Sequence, residues 1–523
     1  APFHRAGPDA RLPALEETEQ AEQERLQNTA ITDGLHVIGR PWSAEQIAST
    51  AEEVGTDDAA EKLSLSVPCE LDRLAQALDG EFIPPSTGGD PLVNPDSLPT
   101  GRNLAGINID RTPDKVTFEE AQQLTDQWLE SFRASHEGKW PRRAAITLGG
   151  GEYLRTGGLS VAQGLILLGV KPVFDSKGTL RDTEVIPSEQ LGRPRIDLLI
   201  QTSGQFRDAA PSRIELLDQA VRKVAALEDE AYPNYVADHT KATAEKYRAE
   251  GFNEEESAEL ATARIFGAVG ALDYGTGIRR LIERTDRWET KESIADQYLL
   301  NMGGVYRGGK VWGVPVEGLL EANLTDTDAI LQSRSSNTWG PVKLDHLYEF
   351  GTLALVIREK TGIDPDFTLT DARRRGKVRN TSLHDAVREE LATTLWNRRW
   401  LEGIMRGGKS GSAVFPEMAQ NLFGWSTVGS DGLIDETIWN ETCETLIDDR
   451  LGLGMRDYFE RTNPGALIDT TAILLDAVRK GYWSPPEERR RDLAALHADL
   501  VDRFGPNESY VSSANTQLRR FIE

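Results

Sequence analysis

A chain of 523 residues is too long for one compact core, so roughly two to four domains are expected. Its 39% hydrophobic and 27% charged residues are ordinary for a globular protein, and no run approaches the ~18 consecutive apolar residues of a membrane span. The formal charge of −25 argues against nucleic acid as a partner, because that needs a basic surface, and reads as surface solvation.

In chain order, residues 1 to about 75 are rich in Glu, Gln and Ala with helical spacing, broken by a strand-like Gly34-Leu-His-Val-Ile-Gly39. The first residue is Ala1, with no basic region and apolar run behind it. This reads as a processed product or a piece of something larger, without a signal peptide. Gly80 to Asn103 is dense in proline and glycine, which excludes helix and central strand and predicts a long ordered loop. Thr117 to His136 is spaced as a helix (Ala121, Leu124, Trp128, Phe132). Ala144 to Leu148 is a short strand followed by Gly149-Gly-Gly151, Leu159 to Leu168 is a helix, and Lys171 to Phe174 is a second strand. Arg195 to Gln201 is a third strand, before a helix from Ser212 to Leu227. From about 230 the pattern is mostly helical, with glycine-rich interruptions at Gly267 to Gly277 and Met302 to Gly313; residues 340 to 523 read as almost wholly helical.

The expected fold is therefore α/β plus mostly helical regions: a multi-domain chain with an open, mainly parallel sheet (a Rossmann- or flavodoxin-like unit) followed by a large helical C-terminal section. The expected division is a helical lead-in and Pro/Gly-rich linker over 1–100, an α/β unit over 101–230, a mixed helical and Gly-rich loop region over 231–340, and a helical region over 341–523. In open α/β sheets ligands bind outside the carboxyl ends of the strands, where Gly149 to Gly158 and Ser203 to Asp208 would both fall.

Several segments bear chemistry. Leu148-Gly-Gly-Gly-Glu-Tyr-Leu-Arg-Thr-Gly-Gly158 has the glycines of a phosphate-cradling turn but lacks the Gly-Lys-Ser/Thr ending of a P-loop, so a tight strand-to-helix connection is the plainer reading. Arg207 and Asp208 are placed to orient a carboxylate-bearing ligand or one another. No two of the seven histidines pair at i, i+3 or i, i+4, which excludes an H-E-x-x-H zinc motif. In Leu344-Asp-His-Leu-Tyr-Glu-Phe350 a helical conformation sets His346 against Glu349 at i+3, either for metal or proton handling or as a surface cluster. Ser333-Arg-Ser-Ser-Asn-Thr-Trp-Gly340 reads as a polar turn. Cys69 and Cys443 lie far apart and read as two thiols, too few for a thiolate metal site.

Taken together, Leu98-Pro-Thr-Gly-Arg-Asn103, Leu154-Arg-Thr-Gly-Gly158, Leu191-Gly-Arg-Pro-Arg-Ile-Asp197, Ser203-Gly-Gln-Phe-Arg-Asp208, Ala263-Arg-Ile-Phe-Gly267, Ser333-Arg-Ser-Ser-Asn337, Lys377-Val-Arg379, Trp400-Leu-Glu-Gly-Ile-Met405 and Leu422-Phe-Gly-Trp425 resemble, in this order, the cobaltochelatase CobN and magnesium-chelatase H-subunit family, in its C-terminal part. The resemblance implies a cytoplasmic tetrapyrrole metal chelatase large subunit, a ligase forming nitrogen–metal bonds. It would insert a divalent metal, cobalt foremost but with magnesium and iron open, into a corrin or porphyrin macrocycle. ATP would be hydrolysed on AAA+ partner subunits, and a separate N-terminal half is a further partner. A haem-directed dechelatase and a noncatalytic tetrapyrrole-binding module are the alternatives. Under this resemblance Arg155, Ser203, Arg207, Arg334 and Asn337 line the tetrapyrrole cavity, and His346 and Glu349 handle metal or protons, with the metal ligands unassigned. The family's His-Gly-x-x-Glu-x-x-Pro-Gly-Lys segment does not occur; His136-Glu-Gly-Lys139 does not match it. The His- and Asp-rich stretch of many cobalt enzymes is replaced by Ser333 to Gly340, which keeps the haem-directed and magnesium relatives in play.

Overall fold

A computed structural model describes residues 38–522 apart from 88–90, 92–93, 106–107, 229, 272–276, 309–310, 337–339, 374–377 and 508–514, and apart from the side chains of 87, 103–105, 271, 345 and 346. The strand-like reading of Gly34 to Gly39 falls mostly outside these residues.

The described chain opens with two helices, α1 (Ala44–Val54) and α2 (Ala59–Leu78). A long connection follows, carrying two three-residue strands paired in parallel, β1 (Pro85–Thr87) and β2 (Asn103–Ala105). Gly101 packs this connection onto α2. Its φ is +82°, and a Cβ there would lie 2.6 Å from the Glu70 backbone nitrogen, so only glycine fits.

Helix α3 (Lys115–Ser135) starts where the Asp114 carboxylate accepts the Thr117 N–H at 2.8 Å, and it buries Ala121, Leu124, Thr125, Trp128, Leu129 and Phe132, one stripe at 3.6-residue spacing. Strand β3 (Arg143–Leu148) leads into α4 (Gly150–Thr156) and α5 (Leu159–Leu168). Strands β4 (Val170–Phe174) and β5 (Leu180–Val185) form a separate antiparallel hairpin. The strand expected at Lys171 to Phe174 therefore exists but lies outside the main sheet; its alternating buried and exposed residues mark a surface ribbon, not a central strand.

Strand β6 (Asp197–Thr202) is followed by α6 (Gly204–Ala209), α7 (Pro211–Ala225) and α8 (Tyr235–Ala249). Then come β7 (Ile265–Gly267), α9 (Lys291–Met302), β8 (Gly304–Arg307), β9 (Val311–Pro315) and β10 (Thr327–Arg334). Beyond α10 (Phe350–Thr361) lie β11 (Asp366–Asp371), β12 (Arg379–Ser382) and α11 (Leu383–Thr393). The rest is helical, including α12 (Val414–Val428), α13 (Glu436–Leu446), α14 (Pro464–Arg479) and α15 (Glu487–Phe504).

Eight strands form one mixed sheet in the order β12-β11-β10-β3-β6-β7-β8-β9. The five from β11 to β7 are mutually parallel, and β12, β8 and β9 join antiparallel at the two ends. A mainly parallel sheet was expected; two of its members were not. Ser333 and Arg334, read as part of a turn, end the buried strand β10, and the section read as almost wholly helical contributes β11 and β12.

Both faces of the central strands are covered. Ala144, Ile146, Leu198 and Ile200 face Trp128, Leu165 and Leu217, while Ala145 and Leu199 alternate to the other face and join Tyr247, Tyr298, Leu355 and Trp425. Covering both faces is what allows β3 and β6 to be buried at every position. No helix among the described residues is long and apolar enough to cross a membrane.

Candidate functional site

From β3 the chain proceeds outward through β6 and β7 on one side, and later through β10 and β11 on the other. The β3/β10 pair is thus the point where strand order reverses, and a crevice opens there at the carboxyl ends because the crossovers diverge.

The two chain segments leaving this point are joined side chain to side chain. Arg155 on α4, after β3, donates through Nε to Ser335 Oγ, after β10, at 2.7 Å, and through Nη2 to Glu152 Oε1 at 2.9 Å. Ser335 also donates to Glu152 Oε2. Glu152 and Ser335 are buried while Arg155 is partly exposed, so the guanidinium is held from behind and faces outward.

Ser203 sits one strand further along. Its Oγ accepts the Phe206 N–H at 3.2 Å as the cap of α6 and the Gly150 N–H at 3.3 Å, locking the two edge helices together. Both bonds use the oxygen as acceptor, which leaves the hydroxyl proton to donate. Gly150 permits the approach, since a Cβ there would stand 2.6 Å from Gln205 Cβ. The glycines after β3 therefore satisfy a steric demand, as the plainer reading held.

Arg207, also buried, makes a two-point pair with its neighbour Asp208 (2.7 and 2.9 Å) and reaches Tyr306 Oη at 3.5 Å. The Asp208 hydrogen bond holds the Arg207 guanidinium above its ordinary pKa, so it is a permanent cation. Of the two roles open to Arg207 and Asp208, orienting one another is seen directly.

Arg334 is buried at the end of β10 and lines a cavity with Glu152, Ser333, Gly340, Leu369 and Trp425. The cavity itself is about 20 Å³, room for about one water.

Glu349 is buried ahead of α10, and its backbone carbonyl accepts the Tyr298 hydroxyl at 2.9 Å. Residues 345–348 form a 3₁₀ turn rather than a continuous helix with α10, and Leu344 and Leu347 of this segment line the same cavity. Asn337 and the His346 side chain lie outside the described residues. Among the described residues no three His, Cys, Asp or Glu side chains come together as a metal site.

Sequence reading missed the charges behind Arg334. Arg373 chelates Asp371 (2.8 and 2.6 Å) and reaches Glu389 Oε1 at 2.7 Å, and Arg379 reaches Glu389 Oε2 at 2.9 Å. Burial alone would raise the Asp371 pKa; the Arg373 and Arg334 guanidiniums overcome it and hold the carboxyl well below its usual range. Glu389 and Glu390 are adjacent on α11 with no local signal beyond a helical pattern.

The opposite edge is structural. Asp197, at the amino end of β6, accepts from Arg143 (2.9 and 2.7 Å), Arg264 (2.8 and 3.1 Å) and His239 Nδ1 (2.8 Å), all buried. The motif residues Asp197 and Arg264 therefore tie strands together at the end remote from the crevice.

The CobN/Magnesium Chelatase family profile matches residues 51–490. An uncharacterized protein of Methanocaldococcus jannaschii is 30% identical over 83% of this chain and 35% of its own length. The magnesium-chelatase subunit ChlH of Oryza sativa subsp. japonica is 30% identical over 83% of the chain and 30% of its own length, and the aerobic cobaltochelatase subunit CobN of Sinorhizobium sp. is 30% identical over 83% and 34%. The catalytic subunit of cobaltochelatase from Mycobacterium tuberculosis superposes with a TM-score of 0.78 at 26% identity, covering 93% of this chain and 39% of that one. The chain thus spans about a third of the length of these relatives. With its family segments arranged around a single sheet, the chain belongs to the CobN/magnesium-chelatase family of tetrapyrrole metal-chelatase large subunits.

Proposed function

We propose that this chain supplies the crevice side of the tetrapyrrole cavity in a chelatase large subunit, with cobalt the foremost metal and ATP hydrolysed on separate AAA+ subunits in the cytoplasm. The observation that carries the reading is the Arg155–Ser335–Glu152 bridge across the strand-order reversal, within the stretch matched by both cobalt and magnesium chelatase subunits. In this reading Arg155 meets a rim carboxylate or amide of the macrocycle, the Ser203 hydroxyl donates beside it, and Arg207 contributes fixed positive potential. Arg334 and Asn337 extend the same wall, and His346 and Glu349 handle the pyrrole protons or the metal. Metal insertion needs a base for the pyrrole protons and a delivering ligand set; the latter is proposed to come from the family's remaining length or a separate N-terminal half.

A visible-absorption titration with haem, protoporphyrin and a corrin precursor tests this. A saturable band shift is expected with one of them, weakened about tenfold by Arg155→Ala, the loss of one charge-assisted contact of about 1.4 kcal/mol. No shift with any macrocycle sinks the reading for this chain.

A second reading, favoured by the missing His-Gly-x-x-Glu-x-x-Pro-Gly-Lys segment, is a module that binds tetrapyrrole without transferring metal. It predicts ligand binding with no change in bound metal whatever AAA+ subunits are added. Removal of iron from added haem would instead identify a haem-directed dechelatase.

A further inference from the structure

Behind the crevice, buried Arg334 and Arg373, with half-buried Lys343 and Arg379 at the margin, meet the buried carboxylates Asp371, Glu389 and Glu390. Arg373 takes both oxygens of Asp371, while Arg373 and Arg379 take one oxygen each of Glu389. Glu390 Oε2 accepts the Val342 N–H at 2.8 Å, and its Oε1 has no hydrogen-bond partner among the described residues.

Arg334 is left with a distant approach of 3.9 Å to Glu389 Oε1. Its Nε and Nη2 have no hydrogen-bond partner among the described residues, although the side chain is only 4% exposed. Leaving a buried guanidinium so poorly paired is costly, because desolvation takes away water's hydrogen bonds without replacing them. Burial, opposed by Glu390 and reinforced by Arg334 and Arg373, lowers the Lys343 pKa to about 8. The space in front of Arg334 is the small cavity at the reversal point, walled on its apolar side by Leu369 and Trp425. Gly340 keeps that space open: a Cβ there would come within 2.4 Å of Glu390 Oε2 and 2.6 Å of Arg334 Nη2.

Two donor atoms of one buried guanidinium without a partner among the described residues, in front of a cavity with room for about one oxygen atom, together describe a receptor for one oxygen of a carboxylate. We propose that Arg334, supported by the positive potential of Lys343, binds one carboxylate of the macrocycle's rim, so that this chain selects a tetrapyrrole with a free acid at that position over one amidated there. The inference rests on the chelatase reading for the source of the carboxylate, but not for the existence of the receptor. An amide entering the same space brings no charge to offset Arg334, so it is held there less tightly than a carboxylate.

Calorimetric titration of the full chain with propionate and with propionamide tests the receptor by itself. Saturable binding of propionate in the millimolar range is expected, with propionamide at least about tenfold weaker. Arg334→Gln is expected to lose most of the propionate affinity, and Lys343→Met to lose a severalfold share. If Arg334→Gln does not fold, Lys343→Met decides. Equal affinity for acid and amide, or propionate binding untouched in the folded variants, overturns the proposal.

A visible titration then compares a porphyrin bearing free propionates with the same porphyrin amidated. The free acid should bind more tightly, with the preference lost in Arg334→Gln or Lys343→Met. Equal binding of the two porphyrins by the unaltered chain overturns the selectivity. Failure of both porphyrins to bind, with propionate still bound, refutes the chelatase reading of this chain and leaves the receptor standing.

Discussion

Asp197→Asn separates the scaffold edge of the sheet from its crevice edge. Asp197 is fully buried and is the shared counter-ion of Arg143 and Arg264, both at most 1% exposed, as well as a partner of His239. Neutralising it leaves two desolvated guanidiniums facing each other, and breaking one side of a buried ion pair costs about 3–5 kcal/mol. At about 1.4 kcal/mol per factor of ten, the opening of β3 and β6 should become roughly two to nearly four orders of magnitude more frequent. Hydrogen–deuterium exchange of peptides covering those strands reads this opening directly.

The exposed carboxylate Glu487, paired with Arg490 and Arg491 on α15, is the control; Glu487→Gln should leave exchange in β3 and β6 unchanged, because solvent screens an exposed pair. Burial would raise the Asp197 pKa, but Arg264, then Arg143 and His239, drive it far below the ordinary carboxylate range. A depressed folded-state pKa stabilises above the unfolded value of roughly 3.9 and is lost only as pH falls toward the folded one, so the penalty should be complete from about pH 4 upward and shrink in strong acid. Macrocycle affinity per folded molecule should not change. Exchange in β3 and β6 within threefold of the unaltered protein would refute the argument that these motif residues are a clamp.

Gly101→Ala should release the 81–105 connection from α2, because backbone atoms of Glu70 occupy the space of the new Cβ; faster proteolysis in that segment is the readout. Burial pushes the Cys443 thiol up to about 12, so at pH 8 a thiol reagent should label Cys69 in the folded chain and Cys443 only after unfolding. Glu152→Gln should weaken macrocycle binding by about as much as Arg155→Ala, since without the carboxylate Arg155 and Ser335 lose their common anchor, and the pair should be non-additive in a double-mutant cycle.

Local pattern carried a good part of this protein. The stripe of α3, the runs of β3 and β6, and the glycine turn behind β3 follow from periodicity and sterics acting within a few residues. The ordered family segments were legible too, and with them Arg155, Ser203, Arg207 and Arg334 as residues worth locating. Tertiary structure alone decided which edge each motif serves. Asp197 and Arg264 look no different in sequence from Arg155 and Arg334, yet strand direction puts one pair at the amino end and the other at the carboxyl end.

It also decided that Lys171 to Phe174 leaves the sheet while Thr327–Arg334 enters beside β3, because strand partnership depends on burial of both faces and not on the strand's own residues. The poor pairing of Arg334 could not be read from the chain at all. Its neighbours come from β11, β12 and α11, up to 56 positions away, and whether a guanidinium is paired depends on the count of carboxylates in one small volume, which only folding assembles.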